Sequence, residues 1–122
     1  MKYSEAIEIT DSRTPNDYDT DDKMRWLLQL DQKIWDELIS THEHPRKASR
    51  PLHCMSDDTL LVLDPYAEDI YVNYLQAKIA KENGESVKYN IAITLYNDAY
   101  AIFARLYHRL YKPVSVNNFF KF

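Results

Sequence analysis

Apolar residues recur every three or four positions along most of the chain, which is the spacing of one face of an α-helix. The clearest case lies within residues 21–40, where the apolar positions are Met24, Leu27, Leu28, Ile34, Trp35 and Leu38. Thr20 and the two aspartates that follow it are typical of a helix N-terminus. Residues 3–11 have a shorter pattern of the same kind. We therefore predict a short first helix and a longer helix over residues 21–40.

Two long helices are predicted in the second half of the chain. Asp64-Pro65 is typical of a helix start, with Asp as the cap and Pro in the first turn. This helix ends at Asn83-Gly84, since glycine readily adopts the left-handed conformation that closes a helix. The last helix runs to Tyr111 and stops before Pro113. Because the connection is short, residues 64–83 and 85–111 are predicted to form an antiparallel hairpin, with residues 21–40 packed across it.

The last helix carries two apolar stripes. The aliphatic stripe consists of Ile91, Leu95, Ala99, Ile102, Leu106 and Leu110, and the aromatic stripe of Tyr89, Tyr96, Tyr100, Phe103, Tyr107 and Tyr111. Together they cover more of the helix than one neighbour needs, so either the helix is central in its fold or the tyrosines contact another subunit. Tyrosines packed in the core with their hydroxyls at its rim are the simpler interpretation. We expect Leu95 to be core, and we name Tyr89, Tyr96, Tyr100 and Tyr107 as candidate subunit-interface residues.

Helical periodicity is lost in two segments. Residues 41–58, the first part of an irregular arm over 41–63, contain two prolines and mixed charge, which indicates a functional or mobile segment. The apolar run at 60–63 is either a brief strand or a lead-in to the next helix. A tail over residues 114–122 follows the helical domain of residues 1–113, and it holds three of the four phenylalanines, Phe119, Phe120 and Phe122. Such a tail either folds back on the domain or anchors a partner.

The composition agrees with one small all-α domain. The chain has 122 residues, which is enough for a single core, and its one glycine and five prolines are too few for a many-stranded sheet. No apolar run reaches about 18 residues and the N-terminal stretch is polar, so we expect neither a membrane span nor a signal peptide. The single glycine excludes a glycine-rich phosphate loop, and the single cysteine excludes an internal disulfide. The predicted fold class is a small helical bundle.

Candidate chemistry is confined to the arm. The histidines His42, His44 and His53 lie close in sequence to Cys54, but their spacing lacks the four-residue step that places two ligands on one helix face. Cys54 and His53 could form a nucleophile–base pair, although adjacent side chains seldom face each other and no third group orients them. We therefore expect no enzymatic activity, no metal and no cofactor.

The charge of the chain makes nucleic-acid coating an unsuitable main role. Lys plus Arg total 15 and Asp plus Glu total 19, so the net charge is −4. Arg46, Lys47 and Arg50 form a small basic cluster on the arm, which is either solvated or contacts phosphates or an acidic partner with a weak, salt-sensitive interaction. No recognition helix is evident. Asp31 lies on the apolar stripe of its helix, and we expect it at the rim, paired with a donor.

Several motifs together resemble a known family. In the first half they are Arg13-Thr14-Pro15-Asn16-Asp17-Tyr18, Asp22-Lys23-Met24-Arg25-Trp26-Leu27 and Leu30-Asp31 with Ile34; in the second they are Leu60-Leu61-Val62, Asp64-Pro65-Tyr66, Ile70-Tyr71-Val72 with Tyr74-Leu75, and Lys88-Tyr89-Asn90. The chain from residue 5 to residue 113 is similar to the head–tail connector, or adaptor, proteins of tailed phages and prophages. The arm and the tail match no pattern of that family.

The resemblance implies a structural protein of the virion neck, assembled in the host cytoplasm. It implies a helical bundle that forms a ring of about twelve copies beneath the portal, where rings close through head-to-tail contacts. The ring would extend the DNA channel without sequence-specific DNA binding and would join the portal to neighbouring neck and tail proteins, with no membrane involved. Connector proteins reach the portal with terminal segments, so Phe119, Phe120 and Phe122 are candidate docking residues.

Two other classes remain open from the sequence. A small helical nucleic-acid-binding regulator or DNA-packaging factor is the main alternative, and the acidic net charge and the missing recognition helix count against it. A metal-dependent enzyme built on the histidine segment is a more distant alternative. A tight shift on duplex DNA at physiological salt would favour the first, and stoichiometric zinc would favour the second.

Overall fold

A computed structural model describes residues 1–42, 59–111 and 113. Within this part the chain forms four α-helices, which are α1 (Tyr3–Arg13), α2 (Thr20–Ile34), α3 (Ala67–Glu82) and α4 (Ser86–Leu110). A π-helical segment, Trp35–Ile39, continues α2. The described residues contain no strand, and isolated β-bridges pair Lys2 with Thr59 and His42 with Pro113. The predicted all-α class is confirmed.

The predicted antiparallel hairpin is formed by α3 and α4. Gly84 closes α3 with a φ of +72°, in the left-handed region that glycine adopts without steric cost. The N–H of Glu85 donates to the carbonyl oxygen of Ala80 at 2.9 Å, which satisfies one of the last carbonyls of α3 and turns the chain. Since Glu85 immediately precedes α4, the two helices are joined by three residues and pack side by side.

The start of α3 lies one turn later than the sequence predicts. Asp64 and Pro65 are joined by a cis peptide bond, and residues 64–66 form a turn rather than the first helical turn. Tyr66 is the residue before the helix, and its side chain makes no capping hydrogen bond. The prediction that Asp64 caps α3 is therefore wrong.

The core lies around α3, which is buried along most of its length. Ile70, Tyr71, Leu75 and Ile79 are fully buried and face α1, α2 and α4. The apolar run at 60–62 is also buried, and the N–H of Leu60 donates to the carbonyl oxygen of Met1 at 2.9 Å. The run is thus an apolar lead-in to α3 and not a strand, which decides between the two alternatives for this segment.

The helix α4 buries most of its aromatic stripe and exposes most of its aliphatic one. Phe103 and Tyr107 are fully inside the core, whereas Ile91, Leu95 and Ile102 are 59%, 49% and 52% exposed. The expectation that Leu95 is core is therefore wrong. The physical reason is that α4 lies at the edge of the bundle, so that only one of its two apolar faces meets the other helices.

Aromatic residues before and within α3 select the face of α4 that is buried. The ring of Tyr74 lies 5.2 Å from that of Tyr96, and the ring of Tyr66 lies 5.9 Å from that of Phe103. Such tilted aromatic pairs add to the free energy gained from burial alone, by about 0.5–1.5 kcal/mol each. The aliphatic stripe has no comparable partner among the described residues, and it remains at the surface.

Candidate functional site

His42 ends the first half of the described chain and is buried against α4. Its Nδ1 lies 2.6 Å from the carbonyl oxygen of Leu38, which can only accept, so Nδ1 carries the proton and donates it. Nε2 of His42 lies 2.8 Å from Nδ1 of His108, so the two rings share a hydrogen bond. The ring of Tyr107 meets His42 edge-on, with 5.0 Å between the centroids. These contacts fix the position and the orientation of the His42 ring.

The residues that come just before the undescribed part of the arm and just before the tail lie side by side. His42, which precedes residues 43–58, forms an antiparallel β-bridge with Pro113, which precedes the tail. Tyr111 lies beside the bridge and stacks on Tyr107 at 4.4 Å between centroids. We call the group of His42, Tyr107, His108, Tyr111 and Pro113 the appendage junction. It brings together two segments that are about seventy positions apart in the sequence.

Most of the residues that the sequence analysis weighed for a functional role lie outside the described residues. These are Arg46, Lys47 and Arg50 on the arm, Phe119, Phe120 and Phe122 in the tail, and His44, His53 and Cys54. Within residues 1–42, 59–111 and 113, no group of three or more His, Cys, Asp or Glu side chains could hold a metal ion. His42 is the member of the histidine cluster that is described, and its two ring nitrogens are both engaged in hydrogen bonds.

The four tyrosines named as interface residues lie mostly inside the domain. Tyr96 and Tyr107 are buried, and Tyr89 and Tyr100 are half-buried. The hydroxyl of Tyr100 donates to Oε2 of Glu37 at 2.8 Å, and this contact joins α4 to the π-helical segment. The subunit-interface role of the four tyrosines stays a prediction, and Tyr89 and Tyr100 keep the larger exposed surface of the four.

Lys33 of α2 adds to the contact between α4 and the π-helical segment. The Nζ of Lys33 lies 6.0 Å from the ring centroid of Tyr96 and 5.7 Å from that of Tyr100, within the range of a cation–π interaction. Burial raises the pKa of the Tyr96 hydroxyl, and the neighbouring Tyr74 and Glu37 raise it further. The aromatic stripe thus holds α2 and the π-helical segment against α4.

Asp31 joins three parts of the chain to α2. Its Oδ2 accepts hydrogen bonds from the Tyr3 hydroxyl at 3.0 Å and from the Leu61 N–H at 3.1 Å. Its Oδ1 accepts one from the Tyr71 hydroxyl. Burial raises the pKa of the Asp31 carboxyl, and these three hydrogen bonds offset part of the rise. The expectation that Asp31 is paired with donors is confirmed, and its role is to hold α1, α3 and the apolar lead-in together.

Lys23 forms a second buried polar cluster at the start of α2. Its side chain is 4% exposed, and its Nζ lies 2.7 Å from Oδ1 of Asp11 and 3.2 Å from Oδ1 of Asn16. Burial by itself would raise the pKa of Asp11, but the hydrogen bonds from Lys23 and Asn16 lower it overall. Through these contacts Asn16 and Lys23, like Asp31, stabilise the fold.

Two apolar surfaces were not identified from the sequence as surfaces. Val87, Ile91, Leu95 and Ile102 form an exposed set on α4, which we call the α4 aliphatic face. Met24 and Leu28 form a smaller exposed set on α2, the α2 apolar patch. The signal that could have indicated the first was the width of the two stripes on one helix, which exceeds what a single neighbouring helix covers.

A cleft lies along each half of the α4 aliphatic face. The first has a volume of about 180 Å³ and runs between α3 and α4, where Ile79 and Ala80 face Ile91 and Leu95. The second has a volume of about 240 Å³, and its lining residues are Tyr66, Ile102, Arg105, Leu106 and Arg109. Both clefts are small and shallow, and they suit the side chains of another protein better than a separate small molecule.

Across the described ranges, no helix combines the length and the apolar character needed to cross a membrane. Comparison of the chain with family models, with characterised proteins and with solved structures finds no match. The motifs quoted above and the geometry of the domain are therefore the basis on which a function is proposed.

Proposed function

We propose that this chain is a structural subunit of a tailed-phage or prophage neck. In this role it is a head–tail connector that forms a ring beneath the portal, extends the DNA channel and joins the head to the tail. The observation that carries the proposal is the appendage junction, where His42 and Pro113 bring the arm and the tail to one end of a helical hairpin. A subunit of this kind can present two docking segments to one neighbour.

The use of the polar groups in the bundle supports a structural role. Asp31 is engaged by three donors from three parts of the chain, and Lys23 is engaged by Asp11 and Asn16. Both clusters link one element of the fold to another, and neither lines one of the two clefts described above. A catalytic site needs a reactive group that is accessible to substrate, so these clusters are suited to rigidity rather than to chemistry.

The segments outside the described residues supply the proposed contacts with other proteins. We place Phe119, Phe120 and Phe122 in a groove of the portal or of an adjacent ring subunit. Each buried phenylalanine contributes up to about 1.5–3 kcal/mol before the cost of ordering the tail. Arg46, Lys47 and Arg50 face an acidic partner surface or the phosphates of DNA that passes through the ring, without reading its sequence.

The test is co-purification with the portal and neck proteins encoded beside this chain. A chain that ends at Pro113 keeps the bridge to His42, so it should retain its helical content and melting temperature but fail to join portal-containing assemblies. The matched full-length variant carries Phe119→Ser and Phe120→Ser, and we expect the same failure. Truncation that unfolds the domain, while the double variant still assembles, would show that the tail belongs to the core.

A second measurement separates the proposal from its main alternative. The full chain is mixed with duplex DNA at physiological salt in a gel-shift experiment. We expect no tight shift, because a connector encloses DNA without holding it. A tight shift together with no co-purification would replace the connector proposal by a nucleic-acid-binding role.

A further inference from the structure

The exposed large apolar side chains of the described residues lie on two helices. Met24 and Leu28 are on α2, and the α4 aliphatic face is on the last helix, which also exposes Leu110. Large apolar patches at the surface of a folded protein generally mark interaction sites. The arrangement of these two surfaces relative to each other indicates what covers them.

Each surface lies on the side of its helix that faces away from the contact between α2 and α4. Met24 and Lys33 are nine residues apart on α2, which is about two and a half turns and places them on opposite sides of that helix. Ile91 and Tyr100 have the same separation on α4. Lys33 and Tyr100 are in contact, with 5.7 Å between Nζ and the ring centroid. Therefore Met24 and Ile91 each lie on the side of their own helix that faces away from the contact between Lys33 and Tyr100.

We propose that the α2 apolar patch of one copy packs into the α4 aliphatic face of the next copy. Two different surfaces on one subunit give a head-to-tail contact, which builds a closed ring or an open filament according to its rotation. This inference rests on the proposed function, because the contact would join neighbouring copies in the proposed ring. It adds which surfaces of the two copies meet. The contact itself follows from the positions of the two faces.

The shapes of the two surfaces fit each other. Met24 and Leu28 are one helical turn apart, so they project as two neighbouring apolar side chains. The cleft of about 180 Å³ beside Ile91 and Leu95 has apolar walls from both α3 and α4. Packing of side chains from one helix into the groove between two others is the ordinary geometry of helix association.

The charges beside the two surfaces match when α2 and α4 of neighbouring copies run parallel. With Leu28 placed at Leu95, the position one heptad earlier is Asp21 on α2 and Lys88 on α4, both exposed. In the other direction, Asp36 lies about 12 Å beyond Leu28 and Arg105 about 15 Å beyond Leu95, at 1.5 Å per residue. Both of these residues are also exposed.

The resulting arrangement places an acidic residue of one copy near a basic residue of the other at both ends of the apolar contact. Complementary charge of this kind favours the pairing of these two surfaces. With the same apolar contact and antiparallel helices, Asp36 would lie near Lys88 and Asp21 near Arg105. The acidic residues of α2 therefore meet the basic residues of α4 in either direction of the helices.

The experiment uses the full chain and three single substitutions to Glu. Leu28→Glu places a charge in the α2 apolar patch, and Leu95→Glu places one in the α4 aliphatic face. Asn97→Glu adds the same charge at an exposed position on another side of α4 and is the matched control. All three residues are exposed, so circular dichroism should show unchanged helical content. Sedimentation velocity over a range of concentrations measures self-association.

The wild-type chain and the Asn97→Glu control should form species larger than a dimer as concentration rises. Leu28→Glu and Leu95→Glu should each be monomeric, with association weakened about a hundredfold or more, because each buries an unpaired charge in the contact. An equimolar mixture of these two variants should form a one-to-one dimer and nothing larger. Each variant keeps one intact surface, and the two intact surfaces are the complementary ones.

Three outcomes would overturn the inference. The wild-type chain could stay monomeric at all concentrations, the mixed variants could fail to form a dimer, or Leu28→Glu could associate as the wild type does. The last result would show that the α4 aliphatic face pairs with itself. Self-association as described, without co-purification of any neck protein, would overturn the proposed function and leave this contact established.

Discussion

The hydroxyl of Tyr71 donates a hydrogen bond to Oδ1 of Asp31 and accepts one from the N–H of Val62 at 2.9 Å. Asp31 lies on α2 and Val62 lies in the apolar lead-in, so this one hydroxyl links α3 to both of them. Burial raises the pKa of Tyr71 well above its usual value, and the neighbouring Asp31 adds to the rise. The hydroxyl therefore stays protonated and continues to act as a donor.

Removal of this hydroxyl should destabilise the domain. In Tyr71→Phe, the Asp31 carboxylate loses a donor and the Val62 N–H loses its acceptor, and the expected loss is about 2–4 kcal/mol of unfolding free energy. The control is Tyr18→Phe, which removes a hydrogen bond to Asn83 at the surface and should cost about 1 kcal/mol or less. Urea unfolding measures both. Equal effects of the two substitutions would mean that the Asp31 cluster is not a stabilising link.

The Asp31 carboxyl should titrate above 3.8, the usual value for Asp, because burial raises its pKa by more than its three hydrogen bonds lower it. A pKa raised by folding makes a stabilising contribution below the unfolded-state pKa, and this contribution is lost as pH rises through the folded-state pKa. Carboxyl carbon shifts followed by NMR from pH 2 to pH 7 give the value. A midpoint below 3.8 would contradict the described balance.

The Asp11 carboxyl should titrate in the opposite direction, below 3.8. Burial raises its pKa, but the hydrogen bonds from Lys23 and Asn16 and the charge of Lys23 together outweigh burial and lower the pKa. The contribution of Asp11 to stability is therefore present above the unfolded-state pKa and is lost as pH falls through the lowered value. The same NMR titration reports it. In Lys23→Met, the Asp11 midpoint should move upward, and no movement would show that Lys23 is not the cause.

Substitutions on the two stripes of α4 should differ strongly. Phe103→Ala removes a fully buried ring and should cost about 3–5 kcal/mol. Leu95→Ala removes a half-exposed side chain from the surface and should change stability by about 0.5 kcal/mol or less. Thermal and urea unfolding of both variants provide the measurement. A loss above about 2 kcal/mol in Leu95→Ala would restore the aliphatic stripe to the core.

The stripes of α4 also show what sequence periodicity can and cannot determine. Spacing identifies the helix and both of its apolar faces, because it depends only on the 3.6-residue repeat. It does not say which face meets α3, since that is decided by partners such as Tyr66 and Tyr74, which pair with Phe103 and Tyr96. The hairpin was predictable because its turn depends on one local residue, Gly84.

The candidate site was less predictable than the fold, for a physical reason. His42 and His108 are 66 positions apart, and their hydrogen bond exists only after the π-helical segment has packed on α4. No pattern in either stretch indicates the other. The sequence did indicate that the arm and the tail begin near these residues. The bridge between His42 and Pro113, which brings the two starting points together, is a tertiary contact that no local pattern indicates.

The appendage junction gives the last prediction, which concerns His42→Ala. The substitution removes both ring hydrogen bonds and leaves a cavity against Tyr107, so we expect a loss of about 2–4 kcal/mol of unfolding free energy. The Pro113 bridge should also loosen, so chymotrypsin should cut after Tyr111 several times faster than in the wild type under native conditions.

Arg109→Ala, at an exposed position of the same turn, is the matched control and should leave the cleavage rate unchanged. Because global unfolding would also raise that rate, the comparison is made well below the melting temperature, where cleavage at buried sites in α3 reports unfolding separately. Faster cleavage at Tyr111 alone would mean that His42 holds the base of the tail, and equal rates in both variants would contradict it.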